Sequence, residues 1–158
     1  MDSGVSQEEK RVVPPVVFFF LCLLPGAFLQ HVRPRAIAGY SFAAGMAAGF
    51  TALLLAVALA AWGIREMRRL DTTILPGRIP ARLVTTGPFR FTRNPLYLAL
   101  LLVLAGLAIM GNSRWLALGA GALLLLLDRL VVIREEAMIR RAFGAEYAVY
   151  VARVRRWL

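Results

Sequence analysis

Four long runs of apolar residues constrain the fold of this chain more than any other feature. They lie at residues 12–30, 36–64, 95–111 and 115–133. About 20 apolar residues in a helix are enough to cross the hydrocarbon core of a bilayer. Hydrophobic residues make up 59% of the chain, against about 45–50% in soluble domains. The sequence therefore predicts an all-α integral membrane protein with about four transmembrane helices and a cytoplasmic C-terminal helical segment.

The first run has a second interpretation, which is a cleaved signal peptide. Lys10 and Arg11 precede it, and residues 36–38 (Ala-Ile-Ala) resemble a cleavage site. Arg33 and Arg35 lie directly before that site and argue against cleavage. We therefore expect the run to remain as the first span.

The last two runs are separated by only three residues, Asn112, Ser113 and Arg114. A connection this short joins helices that lie side by side in opposite directions. The sequence thus predicts an antiparallel helical hairpin in the second half of the chain.

The arginines predict how the helices are oriented in the membrane. Cytoplasmic loops of membrane proteins carry an excess of Lys and Arg. The loop between the second and third runs holds seven arginines, the tail holds six and the opposite side holds three. This distribution places both termini and the long loop in the cytoplasm, in an inner or plasma membrane. The loop group is Arg65, Arg68, Arg69, Arg78, Arg82, Arg90 and Arg93. The tail group is Arg134, Arg140, Arg141, Arg153, Arg155 and Arg156. The group on the opposite side is Arg33, Arg35 and Arg114.

The basic net charge and the scarcity of metal ligands indicate which of nucleic acid, the membrane surface and metal ions this chain is expected to bind. A formal charge of +10 would suggest a nucleic-acid partner in a soluble protein, but no motif for nucleic acid is present. Because the arginines flank apolar spans, the anionic inner leaflet is the expected partner. Cys22 and His31 are the only residues of their types, so we expect no metal site and no Cys–His dyad.

The loop before the third run combines turn residues with arginines and aromatic side chains. Gly87-Pro88 indicates a turn, and Pro95 suits the first turn of a helix. The exposed backbone N–H groups of a helix N-terminus favour an anion. An interfacial anchor, with Arg and aromatic residues at the level of the headgroups, is the alternative.

Acidic residues follow where the fourth run ends. Glu136 is spaced for an ordinary ion pair with Arg140. Glu135 lies in an apolar stripe, where a carboxylate needs a cation, hydroxyls or a ligand. Asp128 lies inside the fourth run, and we expect it to pair with an arginine of the loop.

The tail after these acidic residues predicts two helices separated by a glycine. Gly144 is expected to end one helix, and a second, amphipathic helix is expected from Glu146 to Trp157. Glu146 and Arg153 are seven residues apart, so they share a helix face. A solvated charged face is the alternative interpretation of that pair.

Together these segments resemble the isoprenylcysteine carboxyl methyltransferase and phospholipid methyltransferase superfamily of membrane enzymes. The resemblance covers residues 83–158, which would form a cofactor-binding hairpin and C-terminal cytoplasmic helices. Residues 1–82 show no matching motif and would form the N-terminal helices and a cytoplasmic connector of the same membrane domain. The matching segments, in the family's order and with its hairpin between the first two, are residues 87–97, residues 134–136 (Arg-Glu-Glu), and Phe143-Gly144 with Glu146-Tyr147, Tyr150 and Arg153.

The resemblance implies S-adenosylmethionine as methyl donor and a lipid or small lipophilic acceptor with a carboxylate, thiol or amine. It also implies that Glu146 and Arg153 lie near the reacting groups as catalytic residues. Asn94 stands where carboxyl-methylating members have His, which weakens the case for a prenylcysteine acceptor. The residues implied to bind the cofactor are Arg93, Asn94, Pro95, Tyr97, Glu135 and Glu136.

The same sequence features are compatible with two other functions. Membrane sterol reductases resemble the same C-terminal half but use NADPH, which would make the chain a reductase. A non-catalytic membrane scaffold that kept the fold is the other alternative. Ordinary ion pairs at Glu135 and Glu136, with no cavity beside them, would favour the scaffold.

Overall fold

A computed structural model describes residues 13–72 and 80–158 of the chain. The predicted positions Lys10, Arg11 and Arg78 lie outside the described residues. Within the described ranges the protein is helical and contains no strand. The predicted all-α class is therefore confirmed.

The first four helices follow the four apolar runs. Helix α1 spans Pro15–Val32, α2 spans Phe42–Arg69, α3 spans Pro95–Met110 and α4 spans Arg114–Leu126. In the described part of the chain, three helical stretches are long and apolar enough to cross a membrane: α1, α2 and the continuous stretch Arg114–Arg153. Helix α3 has only 16 residues, which corresponds to about 24 Å. It is apolar, but it is shorter than a hydrocarbon core of about 30 Å.

The fourth run continues into the C-terminal segment without a break. Helix α4 passes through one π-helical stretch, Leu127–Val132, into helix α5, Ile133–Arg153. Gly144 interrupts α5 with φ +48° and ψ −116°, a backbone conformation that only glycine adopts easily. The predicted break at Gly144 is therefore present as a kink, and α5 has two arms. The second arm ends at Arg153, so the expectation of a helix as far as Trp157 is wrong.

The helices pack through small residues and a leucine-rich core. A side chain added to Gly49 in α2 would place its Cβ 2.6 Å from the carbonyl oxygen of Gly106 in α3. The two backbones touch there, as small residues allow in membrane helices. Helix α1 contributes Phe19 and Cys22 to the main core, whose other buried members are Leu104, Ala108, Leu116, Leu123, Leu127 and Val131.

Large apolar side chains cover the outside of α1 and α2. Phe42 is 80% exposed, Phe28 64% and Val57 66%. Such continuous apolar surface is unfavourable in water and is ordinary against lipid tails. The exposed surface therefore fits a bilayer.

Hydrogen bonds tie the helix ends together on the side away from most arginines, which we call the outer end. The Asn112 side chain accepts from the Ile37 backbone at 2.9 Å and donates to the Ala38 carbonyl at 2.9 Å. Trp115 Nε1 donates to the Arg33 carbonyl at 2.8 Å, and the Tyr40 hydroxyl donates to the Ile109 carbonyl at 2.6 Å. All four helices thus have one terminus at the outer end, and α3 and α4 form the predicted antiparallel hairpin.

Candidate functional site

A cavity of about 200 Å³ lies at the opposite end of the bundle, between the loop that precedes α3 and the first arm of α5. Its polar and apolar walls come from five parts of the chain: the end of α2 with Thr72 just after it, the connector at residues 80–84, the loop at residues 89–94, the start of α3, and α5. All six residues implied to bind the cofactor line this one cavity: Arg93, Asn94, Pro95, Tyr97, Glu135 and Glu136.

The loop before α3 is fixed on α2 by a buried carboxylate. Glu66 is only 8% exposed, and the Thr86 hydroxyl donates to its Oε1 at 2.5 Å. Gly87 follows with φ +59°, and a Cβ there would lie 3.1 Å from both the Glu66 Cγ and the Trp62 Nε1. Glycine is therefore needed for both the backbone angle and the close approach. The 3-10 turn Gly87–Arg90 then leads to Arg93.

Arg93 is the central cation of the cavity wall. Its side chain is 12% exposed, and Nη1 lies 2.8 Å from Glu136 Oε1. The same nitrogen donates to the Tyr147 hydroxyl at 3.2 Å. Its Nε is buried and has no hydrogen-bond partner among the described residues. A buried donor left in this state costs about 1–3 kcal/mol, so Arg93 has capacity for one more acceptor.

The two glutamates have different partners. The Tyr97 hydroxyl donates to Glu135 Oε1 at 2.8 Å, so the carboxylate in the apolar stripe does receive a hydroxyl. The expected pair between Glu136 and Arg140 is wrong, because Glu136 pairs with Arg93 and Arg156. Arg140 is on the exposed side of α5, with its guanidinium 5.8 Å from the ring centroid of Tyr147.

Asp128 also has a partner that the sequence did not indicate. It was expected to pair with an arginine of the long loop, but it accepts from Arg156 Nη1 at 3.1 Å and from Trp157 Nε1 at 3.1 Å. The prediction of pairing is right and its partner is wrong, because the end of the chain folds back onto the π-helical stretch. The hydrogen bonds to Glu136, together with those to Asp128, raise the pKa of Arg156 above its usual value, so its guanidinium stays charged.

Glu146 and Arg153 lie outside the cavity. Both are exposed, and they line a separate open depression on the second arm of α5. Tyr150 lines both the depression and the cavity, and its hydroxyl donates to the Phe89 carbonyl at 2.7 Å. The structure thus brings together the six residues implied to bind the cofactor. The two catalytic candidates lie in a separate depression, which shares Tyr150 with the cavity.

The sequence is similar to one family of known proteins over most of its length. A sequence model described as phospholipid methyltransferase matches residues 44–146, which run from α2 through most of α5 and include the six cavity residues. The chain belongs to the phospholipid methyltransferase family. This family lies in the superfamily of membrane methyltransferases that the motifs resembled, so that expectation is confirmed.

Membership of the phospholipid methyltransferase family indicates a membrane methyltransferase. A Haemophilus influenzae protein described as uncharacterized is 40% identical over 65 residues, which are 40% of this chain and all of that protein. No solved structure matches the chain. Any inference of function more specific than the family therefore rests on the geometry of the cavity.

Proposed function

We propose that this phospholipid methyltransferase family member transfers a methyl group from S-adenosylmethionine to a lipid or small lipophilic acceptor. The site faces the cytoplasm, in an inner or plasma membrane. The observation that carries the proposal is the Nε of buried Arg93, which has no partner within residues 13–72 and 80–158, in a cavity that also holds two glutamates. An ordinary interfacial anchor has no need of this arrangement.

The residues of the cavity fit the chemical groups of S-adenosylmethionine. Its carboxylate suits Arg93, because a hydrogen bond from the guanidinium Nε to a carboxylate is charge-assisted and therefore strong. Its ribose hydroxyls and amino group are donors that suit Glu135 and Glu136. The cavity of about 200 Å³ is smaller than pockets that enclose ligands of this size. We therefore expect the connector at residues 80–84 to move outward on binding.

The chemistry requires little from a nucleophilic residue. When bound, S-adenosylmethionine supplies the methyl group and the sulfonium from which it leaves. Arg93 and Glu136, held 2.8 Å apart, would fix the orientation of the donor, and the hydroxyl of Tyr97 would orient Glu135. Alignment and exclusion of water contribute most to an in-line displacement. A carboxylate or thiolate acceptor attacks without a general base.

Glu146 and Arg153 keep a proposed catalytic role on the acceptor side. Their depression shares Tyr150 with the cavity, so an acceptor headgroup there would be separated from the donor by one side chain. Arg153 would attract an anionic headgroup and Glu146 a cationic one. A lipophilic acceptor would reach this position from the bilayer, along the apolar helices.

Titration of the purified protein with S-adenosylhomocysteine, and separately with NADPH, tests the donor. We expect saturable binding of S-adenosylhomocysteine and none of NADPH. The reverse result would make the chain a reductase, and binding of neither would favour the scaffold. Transfer of a labelled methyl group to fatty acids, lipophilic thiols and aminophospholipids in parallel vesicles would then identify the acceptor class.

A further inference from the structure

The last residues of the chain form a strap across the site end of the bundle. We define the C-terminal strap as residues 154–158, which follow α5 and begin at Val154, where the backbone leaves the helix in an extended conformation. Its backbone carbonyls hold the loop before α3, since the Arg155 carbonyl accepts from the Arg93 backbone N–H at 3.1 Å. The Arg156 carbonyl accepts from the Thr92 hydroxyl at 3.0 Å and from Asn94 Nδ2 at 3.1 Å.

The side chain of Arg156 holds the opposite wall. Its Nε and Nη2 donate to the two carboxylate oxygens of Glu136 at 3.1 and 2.8 Å. Its Nη1 donates to Asp128 Oδ1 at 3.1 Å. One residue therefore connects the π-helical stretch, the first arm of α5 and the loop that carries Arg93. Arg156 itself is not among the residues that line the cavity.

We propose that Arg156 is a positioning residue for donor binding, acting through Glu136. This inference rests on the proposed function. The two-pronged contact fixes the plane of the Glu136 carboxylate, whose Oε1 also lies 2.8 Å from Arg93 Nη1. Planar, paired hydrogen bonds of this kind are specific to arginine, and lysine cannot reproduce them. With the fork in place, Glu136 holds Arg93 in one orientation, and the Nε of Arg93 remains available to a ligand.

The strap offers a matched control in the neighbouring arginine. The Arg155 side chain is exposed, and its contact with Arg93 is made by the backbone carbonyl. Truncation of Arg155 removes the same charge from the same strap while keeping that contact. Arg156→Ala likewise keeps its backbone contacts with Thr92 and Asn94, so the variant isolates the guanidinium.

The experiment is titration of S-adenosylhomocysteine into the full chain and into the Arg156→Ala, Arg156→Lys, Arg155→Ala, Glu136→Gln and Glu136→Gln/Arg156→Ala variants. Melting temperatures of the empty proteins are measured alongside. We expect Arg156→Ala to weaken binding about tenfold to a hundredfold, the range of lost charged hydrogen bonds. Lysine should restore only part of this affinity, and Arg155→Ala should bind as the unchanged protein does.

The double variant separates positioning from general stabilisation. If Arg156 acts through Glu136, the double variant should bind no more weakly than Glu136→Gln alone, because coupled residues are not additive. Additive losses, tighter binding by Arg156→Ala, or full recovery with lysine would overturn the inference while the proposed function stands. Absence of binding by the unchanged protein would instead overturn the proposed function, and the positioning role with it.

Discussion

Arg93 combines three properties in one side chain. It is largely buried, it contacts a carboxylate, and one of its nitrogens has no partner among the described residues. A purely structural arginine in this position would be expected to use all of its donors. The incomplete set of contacts is what distinguishes a binding group from an internal ion pair.

Replacement of Arg93 by alanine should therefore weaken binding of S-adenosylhomocysteine by about 1.5–3 kcal/mol, the scale of a hydrogen bond to a charged group. Lysine should recover only part, because it lacks the planar fork. Calorimetric titration measures both. Arg90→Ala is the control, since Arg90 is exposed on the same loop and is not part of the cavity wall. Equal affinity of Arg93→Ala and Arg90→Ala would return Arg93 to the class of interfacial anchors.

Tyr97→Phe tests the other carboxylate. The substitution removes the hydroxyl that donates to Glu135 at 2.8 Å and leaves the ring in place. We expect donor affinity to fall by about tenfold, because the Glu135 carboxylate loses a hydrogen bond that orients it. Tyr40→Phe removes a comparable hydroxyl at the outer end and should leave affinity unchanged. Equal effects of the two variants would show that only general stability is affected.

The residues of the site were predictable to different degrees. Glu135 stood out because a carboxylate in an apolar stripe requires a partner, whereas the motif supplied Arg93 and Tyr97. The role of Arg156 was not predictable, because it lies twenty residues from Glu136 and no helical spacing rule connects them. Between the two lie the kink at Gly144 and the end of α5 at Arg153, after which the strap returns to the cavity wall.

At the scale of elements, the π-helical stretch Leu127–Val132 explains how one guanidinium reaches two carboxylates. In a regular α-helix, residues eight positions apart such as Asp128 and Glu136 differ by about 80° around the axis. A π turn is wider and rotates less per residue, which reduces this offset. Both carboxylates therefore lie within hydrogen-bond distance of Arg156. Single π turns are often found at functional sites.

Gly144 should be intolerant of a side chain even though there is room for one. A Cβ at this position meets no atom within 4 Å, but the φ of +48° is unfavourable for L-residues. We expect Gly144→Ala to destabilise the protein by about 1–3 kcal/mol and to weaken donor binding, because Tyr147 follows three residues later and contacts Arg93. Melting curves and titration measure the two effects.

Gly121→Ala is the matched control for this prediction. A Cβ at Gly121 would also meet no atom within 4 Å, but this glycine lies in α4 with an ordinary helical backbone. Alanine favours a helix over glycine, so this variant should be as stable as the unchanged protein or slightly more so. A Gly144→Ala variant as stable as Gly121→Ala would show that the kink is not required.

The approximate positions of the helices were predictable because apolar runs and membrane helices have similar lengths, but α2 spans Phe42–Arg69 and not the apolar run at residues 36–64. The start of α3 at Pro95 agrees with the sequence, since proline suits a first helical turn. The continuation of α4 into α5 was less clear. Hydropathy falls after Ile133, but no glycine or proline stops the helix before Gly144. The backbone therefore stays helical although its surroundings change from apolar to polar.

At the scale of the whole molecule, the arrangement of helix ends agrees with an even number of crossings. Termini of all four helices meet at the outer end, and the cavity lies at the other. We predict that α3 crosses together with α1, α2 and α4, with local thinning of the bilayer to match its length. Both termini of the chain would then be cytoplasmic.

Accessibility of tags in oriented vesicles tests this topology. Tags at either terminus should be protected in vesicles with the cytoplasmic side inside, and accessible in inverted vesicles, because arginine-rich segments are poorly translocated. A Gly39→Cys label in a Cys22→Ala background should behave in the opposite way, since Gly39 lies in the open outer loop. A C-terminus reached only from outside would contradict the orientation.

The hydrogen bonds of the outer end also bear on where the helices are able to move apart. Asn112 and Trp115 tie the connection between α3 and α4 to the loop between α1 and α2. We therefore expect the helices to stay together at the outer end. Movement of the helices apart to admit a ligand should then be largest at their opposite ends, beside the loop before α3 and the C-terminal strap. Hydrogen exchange should accordingly be slow around residues 111–116 and faster around residues 80–94. We therefore expect the cavity to widen by movement of the loop and the strap, while the outer end stays fixed.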